Sequence, residues 1–233
     1  MSGFDKFSKL LKYDLLENLY SILAVNGILL VLMTVFRFIV GRDNAIVNVI
    51  FGLIIPLGLL LSFVFLTIIV IRLLYNRIFT SDGYLTFALP VSLDAILLSK
   101  ILISTLYIVV TSFVMLVWVA LLSKTFNIIL EVANLKALIW IMHGILGVAS
   151  VNVLILLILT ILHIGIITRF KILCGIVLFM LFSIFESIGY GIIFGGLNYT
   201  TEVLLVCGIV FNIVKIAIYY FLTRYLISNK LEI

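Results

Sequence analysis

Six stretches of this chain are long and apolar enough to cross a lipid bilayer, and they leave little room for anything else: Leu19 to Val40, Ala45 to Ile71, Ile96 to Leu122, Ala137 to His163, Leu173 to Phe194 and Val203 to Leu222. A helix needs about 20 mostly apolar residues to span hydrocarbon, because in lipid every backbone polar group must be satisfied within the segment. The composition agrees, with 65% hydrophobic and 11% charged residues, against about 45–50% and 25% in a soluble domain. The sequence therefore predicts an all-α membrane protein with six transmembrane helices over residues 19–223, preceded by a helical leader at 1–18 and followed by a tail at 224–233. The first span is too long for a cleavable signal peptide and has no small-residue cleavage site after it.

Basic residues set the expected orientation. With the N-terminus inside, Lys6, Lys9, Lys12, Arg72, Arg77, Lys100, Arg169, Lys171, Arg224 and Lys230 flank the spans on the cytoplasmic side, and only Arg37, Arg42, Lys124 and Lys136 lie outside. Both termini are then cytoplasmic. The formal charge of +5 follows from this asymmetry and calls for no nucleic-acid partner. The leader places Phe4, Phe7, Leu11, Leu15 and Leu19 on one helical stripe with Lys6, Lys9, Lys12 and Glu17 mostly opposite, which predicts an amphipathic helix lying flat at the anionic cytoplasmic leaflet before the chain turns into the first span. Asp14 falls at the edge of that stripe.

Between the second and third spans, Arg72 to Lys100 is the longest run that cannot sit in hydrocarbon. It carries Arg72, Arg77, Asp82, Asp94 and Lys100 around a Ser-Asp-Gly turn and Pro90, and reads as an intracellular elbow against the membrane. Ser92 and Asp94 are suited to cap the helix that follows. Elsewhere, Gly41 to Asn44 makes a turn, and Pro56 removes a backbone hydrogen bond in the second span and bends it. The apolar residues within Ser123 to Lys136 place that connection along the outer interface, and Gly165 to Lys171 forms a second, smaller elbow. The glycine-rich run Glu186 to Gly196 has two readings of equal standing: a re-entrant segment before the sixth span, or a plain helix ending in a turn at Gly195 to Asn198.

Glu186 and Lys215 are the ionisable residues placed deep within spans, where a charge must face the bundle interior or find a partner. Their registers differ by roughly 9 Å along the membrane normal at 1.5 Å per residue, so Lys215 is expected to snorkel to the inner interface unless it reaches outward to Glu186. His143, His163, Asn26, Asn152 and Asn212 read as interhelical hydrogen-bonding groups. Cys174 and Cys207 stand in opposite halves of their spans and are expected to stay unpaired. The chain contains no HExxH, no Cys/His cluster and no Gly-x-Ser-x-Gly, so neither a metal site nor enzyme activity is expected. It also has no Gly-x-x-x-x-Gly-Lys-Ser/Thr, and any ATP and Mg²⁺ would have to be held by another subunit.

Asp82-Gly83-Tyr84-Leu85-Thr86-Phe87-Ala88-Leu89-Pro90-Val91-Ser92, followed by Leu97-Leu98-Ser99-Lys100, resembles the coupling-helix region of ABC-2 type transporter permeases. In that family an acidic residue and a Gly or Thr with Leu precede a Pro-Val-Ser step into the third span, with a lysine soon after; an arginine often follows the step, where this chain has Leu93 and Asp94. The amphipathic leader and six-span layout are similar to the family as well. The resemblance implies a permease that dimerises and seats an intracellular coupling helix in a groove of a cytoplasmic ATPase. Asp82, Gly83, Tyr84, Leu85, Thr86, Phe87, Leu89 and Pro90 would form the docking plug, with Glu186 and Lys215 as candidates for the translocation path.

Small permeases of this kind resemble bacterial exporters of amphipathic or antimicrobial peptides, such as phenol-soluble modulin exporters and lantibiotic immunity systems. Phe and Ile dominate the spans, which suits an amphipathic cargo. Two other readings belong to different classes. An ion- or proton-coupled carrier would use Glu186 and Lys215, and predicts an internal repeat that is not evident. A six-span substrate-capture subunit of a vitamin importer predicts an Ala-x-x-x-Ala docking surface in the first span, and Leu19 to Val40 has none.

Overall fold

The computed structural model describes residues 3–39, 45–76, 78–79, 91–123, 135–164, 170–194 and 201–230. These form six helices: α1 Gly3–Ile39, α2 Ala45–Asn76, α3 Leu93–Ser123, α4 Leu135–His163, α5 Lys171–Phe194 and α6 Thr201–Lys230. Five of them, all but α2, carry an apolar stretch long enough to cross a bilayer; in α2 the described apolar stretch is Phe63–Asn76. The chain is a multi-pass helical membrane protein.

The distribution of polarity explains why these helices stay together in lipid. Asp14, Ser99, Lys100, Ser104, Asn152, Thr160 and Thr223 are buried inside, while Tyr20, Phe63, Ile172, Phe185, Ile192 and Phe221 lie on the outside. Hydrocarbon gives helices no hydrophobic reason to associate, so packing and interhelical polar contacts hold the bundle. Such contacts recur: Asn26 Nδ2 donates to Thr111 Oγ1 at 3.3 Å, joining α1 to α3, and Asn152 Nδ2 donates to Thr105 Oγ1 at 3.1 Å, joining α4 to α3. The expectation for Asn26 and Asn152 is met.

Helix α4 is central, with Val153, Leu154, Leu156, Leu157 and Ile158 in the core, and its most extensive partner is α6. Helix α1 packs on α2 and α3, and α3 also packs on α4. By contrast α5 has no buried residue and rests mainly on α4. Cys174 on α5 and Cys207 on α6 are both free, and Cys174 packs against the core.

Two expectations need correction. The leader does not lie flat and turn near Leu19: α1 is one helix of 37 residues. At 1.5 Å per residue it is about 55 Å long, well beyond the roughly 30 Å of a hydrocarbon core. No glycine or proline interrupts it near residue 19, and its apolar stripe has another partner than the leaflet. Leu10 is buried, Leu11 and Leu15 pack on the core, and the Tyr107 hydroxyl of α3 donates to the Leu15 carbonyl. Similarly, the tail expected from residue 224 is largely a continuation of α6, which runs to Lys230.

Helix α2 continues through Pro56. Helix α5 continues through Gly189 and Gly191 to Phe194, so the plain-helix reading holds up to that residue and no re-entrant break occurs between Glu186 and Phe194. Residues 195–200 lie outside the described part, as do 124–134 and the short link 165–169. The last of these leads into Phe170, which turns the chain into α5 with φ of 56° and accepts a bond from Cys174 N at 3.0 Å.

Candidate functional site

Polar groups gather at two places, one at the exit of the elbow and one in a cleft between α4, α5 and α6. At the elbow exit, Ser92 Oγ accepts from the backbone N–H of Ala95 at 3.3 Å, the N-cap bond expected there. Asp94, in the first turn of α3, receives Tyr220 OH at 2.8 Å and Arg224 Nε at 3.0 Å, both from α6. Five and six residues further along α3, Ser99 Oγ donates to Asp14 Oδ2 at 2.8 Å and Lys100 Nζ meets Asp14 Oδ1 at 2.7 Å. Asp14 is 0% and Lys100 1% exposed. The residue that looked misplaced on the leader stripe is the anchor for a lysine expected at the membrane surface. Sequence spacing carried part of this signal, since Asp14 breaks an apolar stripe and an opposite charge had to answer it.

The entrance to the elbow is fixed as well. Ile78 is buried, and Tyr75 and Phe79 stack around His163 at the end of α4, with ring centroids 5.3 and 4.7 Å from the imidazole. His163 thus serves as an aromatic packing partner. A polar recess of about 140 Å³ beside this entrance is lined by Glu17, Asn18, Ser21, Arg72 and Asn76. Asp82, Gly83, Tyr84, Leu85, Thr86, Phe87, Leu89 and Pro90, the docking plug that the resemblance implies, lie outside the described residues.

The second site is an open cleft of about 520 Å³. Its walls come from one face of each helix: His143, Gly147, Ser150 and Val151 on α4, Glu186, Ser187 and Tyr190 on α5, and Gly208, Phe211, Asn212 and Lys215 on α6. The i, i+3, i+4 spacing within each set is what one helical face requires. Here the snorkelling of Lys215 is corrected: its Nζ reaches Glu186 Oε2 at 3.0 Å, and Tyr219 OH donates to Glu186 Oε1 at 2.7 Å. Pairing wins because an isolated carboxylate at this depth would be costly and the long lysine stem covers the axial offset. The same ammonium lies 5.2 Å from the centroid of Phe211, which stacks edge-on with Tyr190 at 5.7 Å.

At the floor, Gly208 lets α6 approach His143. A Cβ there would fall 2.6 Å from His143 Cε1 and 3.0 Å from Nδ1. His143 Nδ1 is buried without a hydrogen-bond partner among the described residues, so the interhelical bond expected of this histidine is not made there at that atom. Asn212 is 6% exposed and makes no side-chain hydrogen bond among the described residues. The sequence did not mark His143, Asn212 and Gly208 as one set, because their meeting depends on the packing of α4 against α6. Among the described residues no group of His, Cys, Asp and Glu is placed to hold a metal.

Comparison with protein-family models, curated proteins and solved structures gives no match to this chain.

Proposed function

We propose that this chain is the membrane-spanning permease subunit of an ATP-driven ABC exporter in a bacterial plasma membrane, moving amphipathic or antimicrobial peptides out of the cell for export and self-immunity. It would span the membrane six times with both termini cytoplasmic, dimerise with a second permease copy, and leave ATP and Mg²⁺ to a separate cytoplasmic ATPase.

The observation that carries this reading is the anchoring of both ends of the elbow. Its entrance packs on α4 through Tyr75, Phe79 and His163, and its exit is tied to α6 through Asp94 and to α1 through Ser99 and Lys100. A segment docked on an ATPase can move spans only if its ends are rigidly joined to them, and three separate helices are joined here. Tyr84, Leu85, Phe87 and Leu89 supply the aromatic and apolar anchors that protein interfaces use.

Co-purification of the tagged protein from membranes tests the reading. A soluble ATPase is expected to accompany the chain, and Leu85→Asp or Phe87→Ala to release it without lowering the yield of folded permease. Purification without any nucleotide-hydrolysing partner would contradict it.

A second reading has its own support. The Lys215–Glu186 pair lines an open cleft, which suits an ion- or proton-coupled carrier working through those two residues. The two readings separate on the energy source.

A further inference from the structure

Lys100–Asp14 and Lys215–Glu186 are both ion pairs between helices, and they are held differently. The first is sealed, with 1% and 0% of its side chains exposed, and ties α1 to α3, which also pack closely along their backbones. The second is 15% and 23% exposed and faces the cleft. It joins α5 to α6, two helices whose backbones barely approach each other, since α5 packs on α4 instead.

Packing also falls away along α5. In its first half Cys174, Leu178 and Phe182 lie against the core, and Gly175 comes so near α4 that a Cβ there would stand 3.1 Å from Leu162 Cδ1. Beyond Phe182 no residue of α5 joins that core, and a Cβ on Gly189 or Gly191 would meet nothing within 4 Å. This is where the cleft of about 520 Å³ opens between α5 and α6, with α4 as its floor. What spans it is one carboxylate and a few rings. Glu186 accepts from Lys215 Nζ at 3.0 Å and from Tyr219 OH at 2.7 Å, while Tyr190 and Phe194 stand edge-on to Phe211 at 5.7 and 6.4 Å.

In lipid the apolar surface of α5 gives it no reason to lie against α6, because acyl chains cover such side chains equally well. With no buried residue on α5, the polar contacts decide whether the seam is closed. Two hydrogen bonds to an ionised carboxylate are the strong kind. Their partial exposure lets them be broken without stranding both charges in a sealed interior, as would happen at Asp14 and Lys100.

We propose that α5 is a strap hinged near Gly175 and latched at Glu186. With the carboxylate held by Lys215 and Tyr219, the seam against α6 is closed; once it is released, the part of α5 beyond Phe182 swings away and opens the cleft to the lipid. Glu186 lies about 16 Å along the helix from Gly175 at 1.5 Å per residue, so a tilt of about 20° carries it about 5 Å, half a helix diameter. The device is the same whether ATP or an ion gradient drives the protein.

The test is a distance measurement by pulsed electron spin resonance on the full chain in lipid nanodiscs. Both free cysteines are first replaced, as Cys174→Ala and Cys207→Ala. Spin labels then go on Ile188→Cys of α5 and Val214→Cys of α6, two exposed positions beside the latch. The chain with its latch intact should give one narrow distance. Glu186→Gln and Lys215→Met should each add a component about 5 Å longer. Ser187→Ala, whose hydroxyl lines the cleft but bonds to Ser183 O of its own helix, should leave the distance unchanged. A second label pair on Ile141→Cys of α4 and Val206→Cys of α6, also exposed, should stay fixed in every variant and shows that the bundle is folded. The proposal is overturned if both latch variants superimpose on the intact chain, or if the α4–α6 pair lengthens with them, which would make Glu186 a tie for the whole bundle. A distribution already broad with the latch intact overturns it as well.

Discussion

Lys100 lies inside the bundle paired with Asp14 Oδ1, while the other oxygen of that carboxylate accepts from Ser99 Oγ. Such a pair contributes little net stability compared with apolar residues of the same shape, yet removing one partner strands the other charge in a medium that cannot solvate it. Lys100→Met should therefore lower stability by about 3–5 kcal/mol, and the double change Asp14→Leu with Lys100→Met should recover much of that loss; thermal unfolding in one detergent measures both. At Gly208 the constraint is steric. Alanine would put a methyl group 2.6 Å from His143 Cε1, and the imidazole must swing away. Gly208→Ala should cost about 1–3 kcal/mol through overpacking, whereas Gly144→Ala, with nothing within 4 Å of its Cβ, should be neutral or gain about 0.5–1 kcal/mol from helix propensity. The same thermal assay separates the two.

At the scale of elements, the elbow and the helices that hold its ends form the mechanical unit. Asp94, Tyr220 and Arg224 are partly exposed, so their contacts are screened and Asp94→Asn should change unfolding stability by less than about 1 kcal/mol. In the exporter reading its effect lies in coupling: nucleotide hydrolysis by the associated ATPase should continue while its stimulation by cargo falls, which a peptide-dependent ATPase assay reads directly. The span boundaries of α3 to α5 were legible in the sequence because long apolar runs admit few alternatives; Ile96 to Leu122 became Leu93–Ser123 and Leu173 to Phe194 became Lys171–Phe194. The leader was misread for a physical reason. An amphipathic stripe has the same spacing whether it meets a leaflet or another helix, and only the partner of Asp14 distinguishes the two. For Glu186 and Lys215, residue counting gives depth along the normal but not the rotation of each helix, and rotation brought the pair together. His143 and Asn212 were recognised singly, and their common cleft follows from α4 lying against α6.

Among the described residues, large apolar side chains cover the outer faces of the helices, and an apolar core holds a few buried polar groups such as Asp14, Lys100, Asn152 and Thr160. Helix α5, without a buried residue, stands at the edge of the bundle, and the cleft behind it joins the interior to the lipid side. Two energy sources remain to be told apart, ATP acting through the elbow and an ion gradient acting through Glu186 and Lys215. The decisive measurement is the uptake of a fluorescent amphipathic peptide by proteoliposomes holding the permease with its co-purified ATPase, oriented with the ATPase outside. The exporter account predicts uptake that requires ATP, survives collapse of the proton gradient and is abolished by Leu85→Asp. Uptake that proceeds without ATP, follows the proton gradient and disappears in Glu186→Gln would contradict it.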